Sequence, residues 1–128
     1  MTNAAQVLVV EDDVDVATML AELLAMEGYR VLEARDGREA LEQLRAGARP
    51  DVILLDLMMP EMNGWQFRQA QLADARFAHV PVVVLSADTA TQEKALALGV
   101  HFGLRKPVDF DRLLEVVSAL STQQSPPP

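Results

Sequence analysis

Cysteine is missing from this chain of 128 residues, which excludes disulfides, thiolate zinc sites and cysteine nucleophiles. Aromatic residues are few, at 5% of the sequence, and the two histidines, His79 and His101, lack the spacing of metal ligands. Basic residues are also scarce, since 11 Lys and Arg stand against 19 Asp and Glu. The resulting formal net charge of −8 argues against a broad nucleic-acid-binding surface, so we expect no direct nucleic-acid partner.

Long apolar runs are absent too, and the amino terminus has no basic region ahead of an apolar stretch. The sequence therefore predicts neither a membrane span nor a secretory signal, and we expect a cytoplasmic protein. Half of the residues are hydrophobic, which is enough to build one core. We expect a single domain over residues 1–121 and a disordered tail over residues 122–128.

Five short apolar runs alternate with stretches of helical periodicity, a pattern typical of repeated βαβ units and a parallel sheet. The runs span residues 6–10, 30–34, 51–55, 80–85 and 101–105. Helices are predicted over about 13–27, from 37 to before 47, from 64 to about 76, over about 89–98 with Asp88 as N-cap, and from about 109 onward. The sequence thus predicts a doubly wound α/β fold, with helices on both faces of a five-stranded parallel sheet.

Asp56 follows the apolar run Val52–Leu55, in a place where packing alone does not explain an ionisable residue. A short continuous run of this kind predicts a strand that is buried on both faces. In sheets covered by helices, ligands bind outside the carboxyl ends of the strands. The carboxylate of Asp56 is therefore expected where chemistry takes place.

Glu11, Asp12 and Asp13 follow the first apolar run in the same way. If the first and third strands are neighbours, as in the flavodoxin-like strand order 2-1-3-4-5, Asp12 and Asp56 converge on one crevice. Carboxylates so close repel one another, and a hard divalent cation such as Mg²⁺ relieves the repulsion. The alternative is that the three acids only favour the start of a helix, where negative charge is stabilising.

Two further strand ends carry a hydroxyl and an ammonium group. Ser86 follows the fourth run, and Lys106 follows the fifth run and precedes Pro107. Lys106 could pair with Asp56 and later hold a phosphoryl oxygen, while Ser86 could donate a hydrogen bond to the same group. Taken singly, each residue has an ordinary explanation, as turn chemistry or as a solvated charge. Their joint occurrence at successive strand ends favours a site.

Four motifs occur in a set order along the chain, namely VLVVEDD, ILLDLMMPEMNGW, VVVLSA and the Lys106-Pro107 pair. With this order and spacing, the chain resembles the receiver domain of two-component response regulators, a chemotaxis-regulator-like superfamily, from about Gln6 to Leu120. The resemblance implies a phosphorylation switch. Its partners would be a histidine kinase or a histidine phosphotransfer protein that donates the phosphoryl group.

The resemblance also implies a role for each acidic residue of the predicted site. Asp56 would be the phosphoacceptor and a ligand of Mg²⁺. Asp12 would bind Mg²⁺ directly, and Glu11 would bind it mainly through water. The backbone carbonyl of Met58 would be another ligand.

Ser86 and Lys106 match the hydroxyl and lysine positions of the family, so the resemblance implies that both assist phosphoryl transfer and that Ser86 takes part in the switch.

The usual aromatic switch residue is missing, because Gly103 stands at its position and Phe102 one place earlier. Neighbouring strand residues point to opposite faces. Phe102 can therefore replace the aromatic only if the strand bulges at Gly103, and otherwise it is a core residue.

We expect the protein to signal by contact with a downstream protein, as a monomer or a phosphorylation-dependent homodimer. An attached output domain is not expected, so the chain could be a stand-alone regulator or a phosphate shuttle in a relay. A domain cut from a hybrid kinase is less expected, since Met1 and the PPP ending resemble natural termini. The protein is also not expected to be an enzyme, beyond promoting its own phosphoryl transfer and autodephosphorylation. Gly103 favours one alternative, a degenerate receiver that acts as a constitutive interaction module. A magnesium-dependent phosphatase is disfavoured, because Met58 stands where a second acid would be needed.

Overall fold

Five parallel strands form one sheet in the computed structural model, which describes residues 5–59, 62–100 and 102–124. The strands are β1 (Gln6–Val10), β2 (Arg30–Ala34), β3 (Val52–Asp56), β4 (Val82–Ser86) and β5 (Phe102–Arg105). They lie side by side in the order β2-β1-β3-β4-β5. The predicted flavodoxin-like order is confirmed, and it makes β1 and β3 neighbours.

Five helices accompany these strands in the described part of the chain. They are α1 (Val14–Met26), α2 (Gly37–Arg45), α3 (Gly64–Leu72), α4 (Thr91–Ala97) and α5 (Phe110–Gln124). Side-chain caps mark where several of them begin, including α1 and α3. The carboxylate of Asp13 accepts hydrogen bonds from the N–H groups of Asp15 and Val16 at the start of α1. Asn63 and Gln66 form a reciprocal capping box at the start of α3.

The sheet is buried between two layers of helices. One hydrophobic cluster joins α2, α3 and α4 to the sheet, with Leu41 and Phe67 among its members. A second cluster joins α1 and α5 to the opposite face, with Leu20 and Leu113 among its members. Residues 52–55 are fully buried because their side chains enter the two clusters alternately. The continuous apolar run is therefore a strand buried on both faces, as the sequence predicted.

Two strands end on polar residues that the sequence pattern placed just beyond them. Asp56 pairs with β4 and Ser86 pairs with β5, so both residues belong to the ladder. The third and fourth strands also begin one and two residues later than predicted. For β4 the reason is Pro81, which has no N–H to donate to a ladder. His101, the predicted first residue of the fifth strand, lies outside the described residues.

The predicted end of α3 near residue 76 is wrong, because the helix ends at Leu72. The fully buried side-chain amide of Gln71 donates hydrogen bonds to the carbonyls of Phe77 and Val80, at 3.1 Å and 3.0 Å. These bonds hold the following residues in a series of turns that lead into β4. A buried amide with several partners is well placed to fix such a connection.

Two other helix boundaries differ from the prediction. α4 begins at Thr91, with Ala90 rather than Asp88 at its N-cap. The Asp88 carboxylate bonds instead to the N–H of Ala90 and to the ammonium group of Lys94. α5 continues to Gln124, past the predicted domain end at 121, since no proline stops it before residue 126. Residues 125–128 of the predicted tail lie outside the described residues.

α3 begins directly against the end of β3. A Cβ atom at Gly64 would lie 2.9 Å from the Cα atom of Leu57 and 3.0 Å from the carbonyl oxygen of Asp56. Real Cβ atoms avoid contacts this short, so glycine is what permits the approach. The start of α3 consequently lies beside Asp56.

We expect Gly64→Ala to lower the free energy of unfolding by about 1–3 kcal/mol, because the added methyl group meets backbone atoms that cannot rotate away. The clash should outweigh the gain in helix propensity of alanine over glycine, which is at most about 1 kcal/mol. Gln69→Ala, at an exposed position of the same helix, is the control and should change the value by less than about 0.5 kcal/mol. Urea denaturation measures both, and an unchanged value for Gly64→Ala would contradict the close approach.

Candidate phosphoryl-acceptor site

The carboxyl ends of β1 and β3 bring three carboxylates together. Glu11, Asp12 and Asp56 each offer one oxygen, and these oxygens all lie within 4.8 Å of one another. Glu11 and Asp56 are buried, with 2% and 4% of their surfaces exposed, whereas Asp12 is exposed. Asp13, the third acid of the run, caps α1 instead. The acidic crevice predicted from the sequence is present, and the helix-start explanation applies to Asp13.

Lys106 lies beside the two buried carboxylates. Its Nζ atom is 2.6 Å from Oε1 of Glu11 and 3.6 Å from Oδ2 of Asp56. The ion pair predicted between Lys106 and Asp56 is thus present, but it is the longer of the two contacts. The short hydrogen bond of Lys106 goes to Glu11. The Lys106-Pro107 peptide bond is cis. One ammonium group therefore faces two carboxylates.

The charge balance of the crevice perturbs both Asp56 and Lys106. Burial and the adjacent Glu11 carboxyl raise the pKa of Asp56 to about 7, although Lys106 and the N–H of Met58 act in the opposite direction. Burial tends to lower the pKa of Lys106, but the hydrogen bond to Glu11 and the charges of Asp56 and Glu11 raise it above its ordinary value. The crevice therefore favours an additional positive charge.

Ser86 ends β4, the strand next to Asp56, and its side chain is buried. Its Oγ atom accepts a hydrogen bond from the N–H of Asp88 at 3.1 Å, and its carbonyl accepts one from the N–H of Lys106 at 2.8 Å. The N–H of Met58 donates to Oδ1 of Asp56 at 3.2 Å. The hydroxyl, the lysine and the Met58 backbone thus gather at the same edge of the sheet. The role of the Met58 carbonyl as a metal ligand stays a prediction.

Phe102 and Gly103 lie on opposite faces of β5. The ladder is regular here, with Phe102 opposite Val83 and Gly103 opposite Val84. Phe102 is partly buried and packs into the cluster on the α1 and α5 side. Gly103 faces α4, where an added Cβ atom would lie 3.0 Å from the Cβ atom of Ala95. Phe102 therefore does not take the place of the missing aromatic residue.

Thr91 is a buried residue of this region that the sequence patterns do not single out. The single proton of its hydroxyl group is shared between the carbonyl oxygens of Ser86, at 3.3 Å, and Asp88. In the sequence, this role is indicated only by a hydroxyl residue near a predicted helix start, where threonine often forms hydrogen bonds with nearby backbone groups. That signal is weak, because it does not say which carbonyl the threonine reaches.

The donor set of the crevice suits a hard divalent cation. Carboxylate oxygens are the ligands that Mg²⁺ prefers, and Glu11, Asp12 and Asp56 offer three within reach of one another. The exposure of Asp12 leaves room for the water molecules that Mg²⁺ retains. The excess of acid over Lys106 gives the crevice the charge that such an ion requires.

A parallel sheet of order 2-1-3-4-5, with acids at the ends of β1 and β3 and a lysine after β5, defines the receiver class of two-component signalling proteins. The family model for the response regulator receiver domain matches residues 7–118. The chain belongs to this family.

Known relatives and structures agree with the assignment. Protein PilH of Pseudomonas aeruginosa is 32% identical over 120 residues, which are 91% of this chain and 97% of PilH. Chemotaxis response regulator CheY4 of Vibrio cholerae has a TM-score of 0.83 and 33% identity, covering 92% of this chain and 99% of CheY4. The receiver domain of a sensor histidine kinase from Pseudomonas aeruginosa has a TM-score of 0.85 and 26% identity, covering 94% and 99%. In that crystal structure a magnesium ion is coordinated in the active-site cleft.

Other relatives are longer than this chain. Several are DNA-binding response regulators, and the chain spans about half of their length. None of the helices in the described part of the chain combines the length and the apolar character that a membrane crossing requires. The expected cytoplasmic location stays a prediction.

The raised pKa of Asp56 predicts how stability changes with pH when no metal is present. From about pH 4 to about pH 7 the unfolded chain has lost the Asp56 proton while the folded protein retains it. Raising the pH through this window should therefore lower the free energy of unfolding, by at most about 1.4 kcal/mol for each pH unit. Asp56→Asn should remove this contribution and be the more stable protein above pH 7.

Chemical denaturation of the wild type and Asp56→Asn across this pH range, in the presence of a chelator, measures the difference. Asp13→Asn is the control, because asparagine keeps the cap of α1 and leaves Asp56 in place. A difference between the wild type and Asp56→Asn that does not vary with pH would contradict the raised pKa.

Proposed function

We propose that this protein is a phosphorylation-dependent switch of a two-component system or phosphorelay, in which Asp56 accepts a phosphoryl group. The donor is a histidine kinase or a histidine phosphotransfer protein. One observation carries the proposal: the carboxyl of Asp56 is buried at the end of β3, between two other acids and Lys106. A carboxyl in such surroundings is costly for the fold, and a functional site is where such costs are expected.

In the proposed reaction, a carboxylate oxygen of Asp56 attacks the phosphorus atom of a phosphohistidine. The P–N bond breaks, and its electron pair stays on the imidazole of the donor, which takes up a proton from solvent. Asp56 becomes an acyl phosphate, and its hydrolysis later restores the carboxylate. Positioning and electrostatic stabilisation carry phosphoryl transfer, so the surrounding groups matter more than further covalent chemistry.

The neighbours of Asp56 have separate roles in this proposal. Lys106, now bonded to Glu11, can pair with an oxygen of the incoming phosphoryl group from its place beside Asp56. Ser86 ends the adjacent strand, and its hydroxyl can turn from the Asp88 N–H toward the same group. Both residues thus shift from partners within the protein to the phosphoryl oxygens.

Mg²⁺ is the cofactor that the acidic crevice fits. Asp12, Asp56 and the Met58 carbonyl would hold it directly, and Glu11 would do so mainly through water. When bound, the ion offsets the negative charge of the carboxylates and of the phosphoryl oxygens. The chain contributes fixed oxygen donors on two adjacent strand ends, which hold the acceptor carboxylate in one orientation.

The phosphorylated protein would signal by contact with a downstream protein, as a monomer or as a phosphorylation-dependent homodimer. It would catalyse no reaction beyond its own phosphoryl transfer and autodephosphorylation. The match to PilH over 97% of that protein's length supports the receiver domain as the unit that makes this contact. Gly103 favours a second candidate, a degenerate receiver that binds its partner constitutively.

We expect Mg²⁺ to raise the thermal midpoint of the wild-type protein, since it binds the folded state. Asp12→Asn should weaken Mg²⁺ binding by about tenfold or more, because it removes a charged ligand. Asp13→Asn changes the net charge equally and keeps the α1 cap, so it should bind Mg²⁺ as the wild type does. Thermal melting at increasing MgCl₂ measures the effect. Equal weakening by both substitutions would point to bulk electrostatics and not to a site.

We expect the wild type to gain the mass of one phosphoryl group on incubation with Mg²⁺ and acetyl phosphate. The adduct should be labile to hydroxylamine, as an acyl phosphate is, and absent after chelation. Asp56→Asn should gain no mass, whereas Asp13→Asn should react normally. The fluorescence of Trp65, the single tryptophan, gives a second readout, since it follows Gly64 at the start of α3.

Mass spectrometry of the intact protein and of its peptides locates the adduct. A wild type that stays unmodified while a known receiver is phosphorylated in the same mixture would refute the switch and favour the degenerate receiver. Turnover of unrelated phosphoesters would instead favour an enzyme.

A further inference from the structure

Gly103 allows α4 to lie directly on β5. A Cβ atom at this position would be 2.8 Å from the carbonyl oxygen of Thr91 and 3.2 Å from the Cα atom of Gln92. Both neighbours are backbone atoms of the first turn of α4, so no side chain can be added without moving the helix. The backbone of α4 thus occupies the space where an aromatic side chain of β5 would lie.

A specific hydrogen bond accompanies this contact. The N–H of Gly103 donates to Oε1 of Gln92 at 2.9 Å. β5 is an edge strand of the sheet, where backbone groups need partners from outside the ladder. The side chain of Gln92 therefore makes α4 a partner of the β5 backbone.

The preceding residue of the same turn, Thr91, contacts the candidate site. Thr91 is 2% exposed, and its hydroxyl bonds to the carbonyls of Ser86 and Asp88. The Ser86 hydroxyl, in turn, accepts the N–H of Asp88 at 3.1 Å. A closed set of bonds thus joins the Ser86 side chain, the Ser86–Asp88 loop and Thr91.

The two ends of α4 are held differently. At its C-terminal end, the guanidinium group of Arg68 on α3 donates to the carbonyls of Leu98, at 3.1 Å, and Gly99, at 3.3 Å. At its N-terminal end, the partners are the loop after Ser86 and the backbone of Gly103. A displacement of that loop would therefore act on the first turn of α4 while the other end stays attached to α3.

We propose that Thr91 and Gln92 transmit the phosphorylation of Asp56 to β5, in the place of an aromatic switch residue. The inference rests on the proposed function, because it requires a phosphoryl group at Asp56. Thr91 senses the Ser86–Asp88 loop through its hydroxyl, and Gln92 passes the movement of α4 to the backbone of Gly103. Both are positioning residues, since neither touches the reacting atoms.

The order of events follows from the bonds that must change. When the Ser86 hydroxyl turns to a phosphoryl oxygen, the N–H of Asp88 loses its acceptor and the loop rearranges. The bonds from the Thr91 hydroxyl to the two loop carbonyls then pull on the first turn of α4. Because the backbone of α4 lies against Gly103 and the Gln92 side chain accepts the N–H of Gly103, a shift of the first turn alters this hydrogen bond and so reaches β5.

The test uses ¹⁵N-labelled protein with Mg²⁺ and beryllofluoride, a stable phosphoryl mimic. In the wild type, the amide resonance of Gly103 should shift on addition of beryllofluoride, while the resonance of Gly47, after α2, should stay in place. Thr91→Val, which has the same shape but no hydroxyl, should lose the Gly103 shift, and Thr91→Ser should retain it. The ¹⁹F signal of bound beryllofluoride shows in each variant that Asp56 is occupied.

Gln92 provides a second test position where a substitution does not disturb the core, since its side chain is exposed. Gln92→Leu should lose the difference in Gly103 hydrogen-exchange rate between the free and the beryllofluoride-bound protein. Gln92→Glu, which keeps the acceptor oxygen, should retain it. Thr18→Val, at an exposed position of α1, is the control for a threonine-to-valine change and should behave as the wild type.

The possible failures are distinct. A Gly103 shift in Thr91→Val equal to that of the wild type would overturn the inference, as would an unmoved Gly103 resonance in a wild type that binds beryllofluoride. Absence of the ¹⁹F signal from the wild type would overturn the proposed function itself, and the inference with it.

Discussion

The burial of two carboxyl groups side by side, Glu11 and Asp56, is the constraint on which the rest of this structure depends. The strand order makes β1 and β3 neighbours, so their last polar side chains have to share one small space. Isolated buried charges are very costly, and a single ammonium group from Lys106 compensates for only part of the two. The raised pKa of Asp56, the short bond from Lys106 to Glu11 and the fit for Mg²⁺ are all responses to the same imbalance.

Ser86 connects this imbalance to the rest of the molecule. Its hydroxyl belongs to the site, while its carbonyl accepts hydrogen bonds from both the Lys106 N–H and the Thr91 hydroxyl. The same residue therefore bonds to the chain that follows β5 and to the first turn of α4. A change of hydrogen-bond partner at the Ser86 side chain can therefore act on both the chain after β5 and the first turn of α4, without further intermediate residues.

The fold and the residues that meet in the acidic crevice could be predicted from the sequence, because each depends on a local pattern. The run Val52–Leu55 identified a doubly buried strand, and polar residues such as Asp56 and Lys106 stand out at the ends of apolar runs. The preference of Lys106 for Glu11 could not be predicted, since run ends do not give distances to two adjacent carboxylates. The early end of α3 depends on the buried partners of Gln71, and the role of Thr91 depends on a carbonyl brought near it only by folding.

The contact at Gly103 also limits how this chain can change in evolution. Introducing an aromatic residue there would need, at the same time, a different placement of the first turn of α4, because even a methyl group meets the carbonyl of Thr91 at 2.8 Å. A single substitution of Gly103 by an aromatic residue would thus give a poorly packed protein. A receiver with glycine at this position and one with an aromatic residue therefore differ by several substitutions that must occur together.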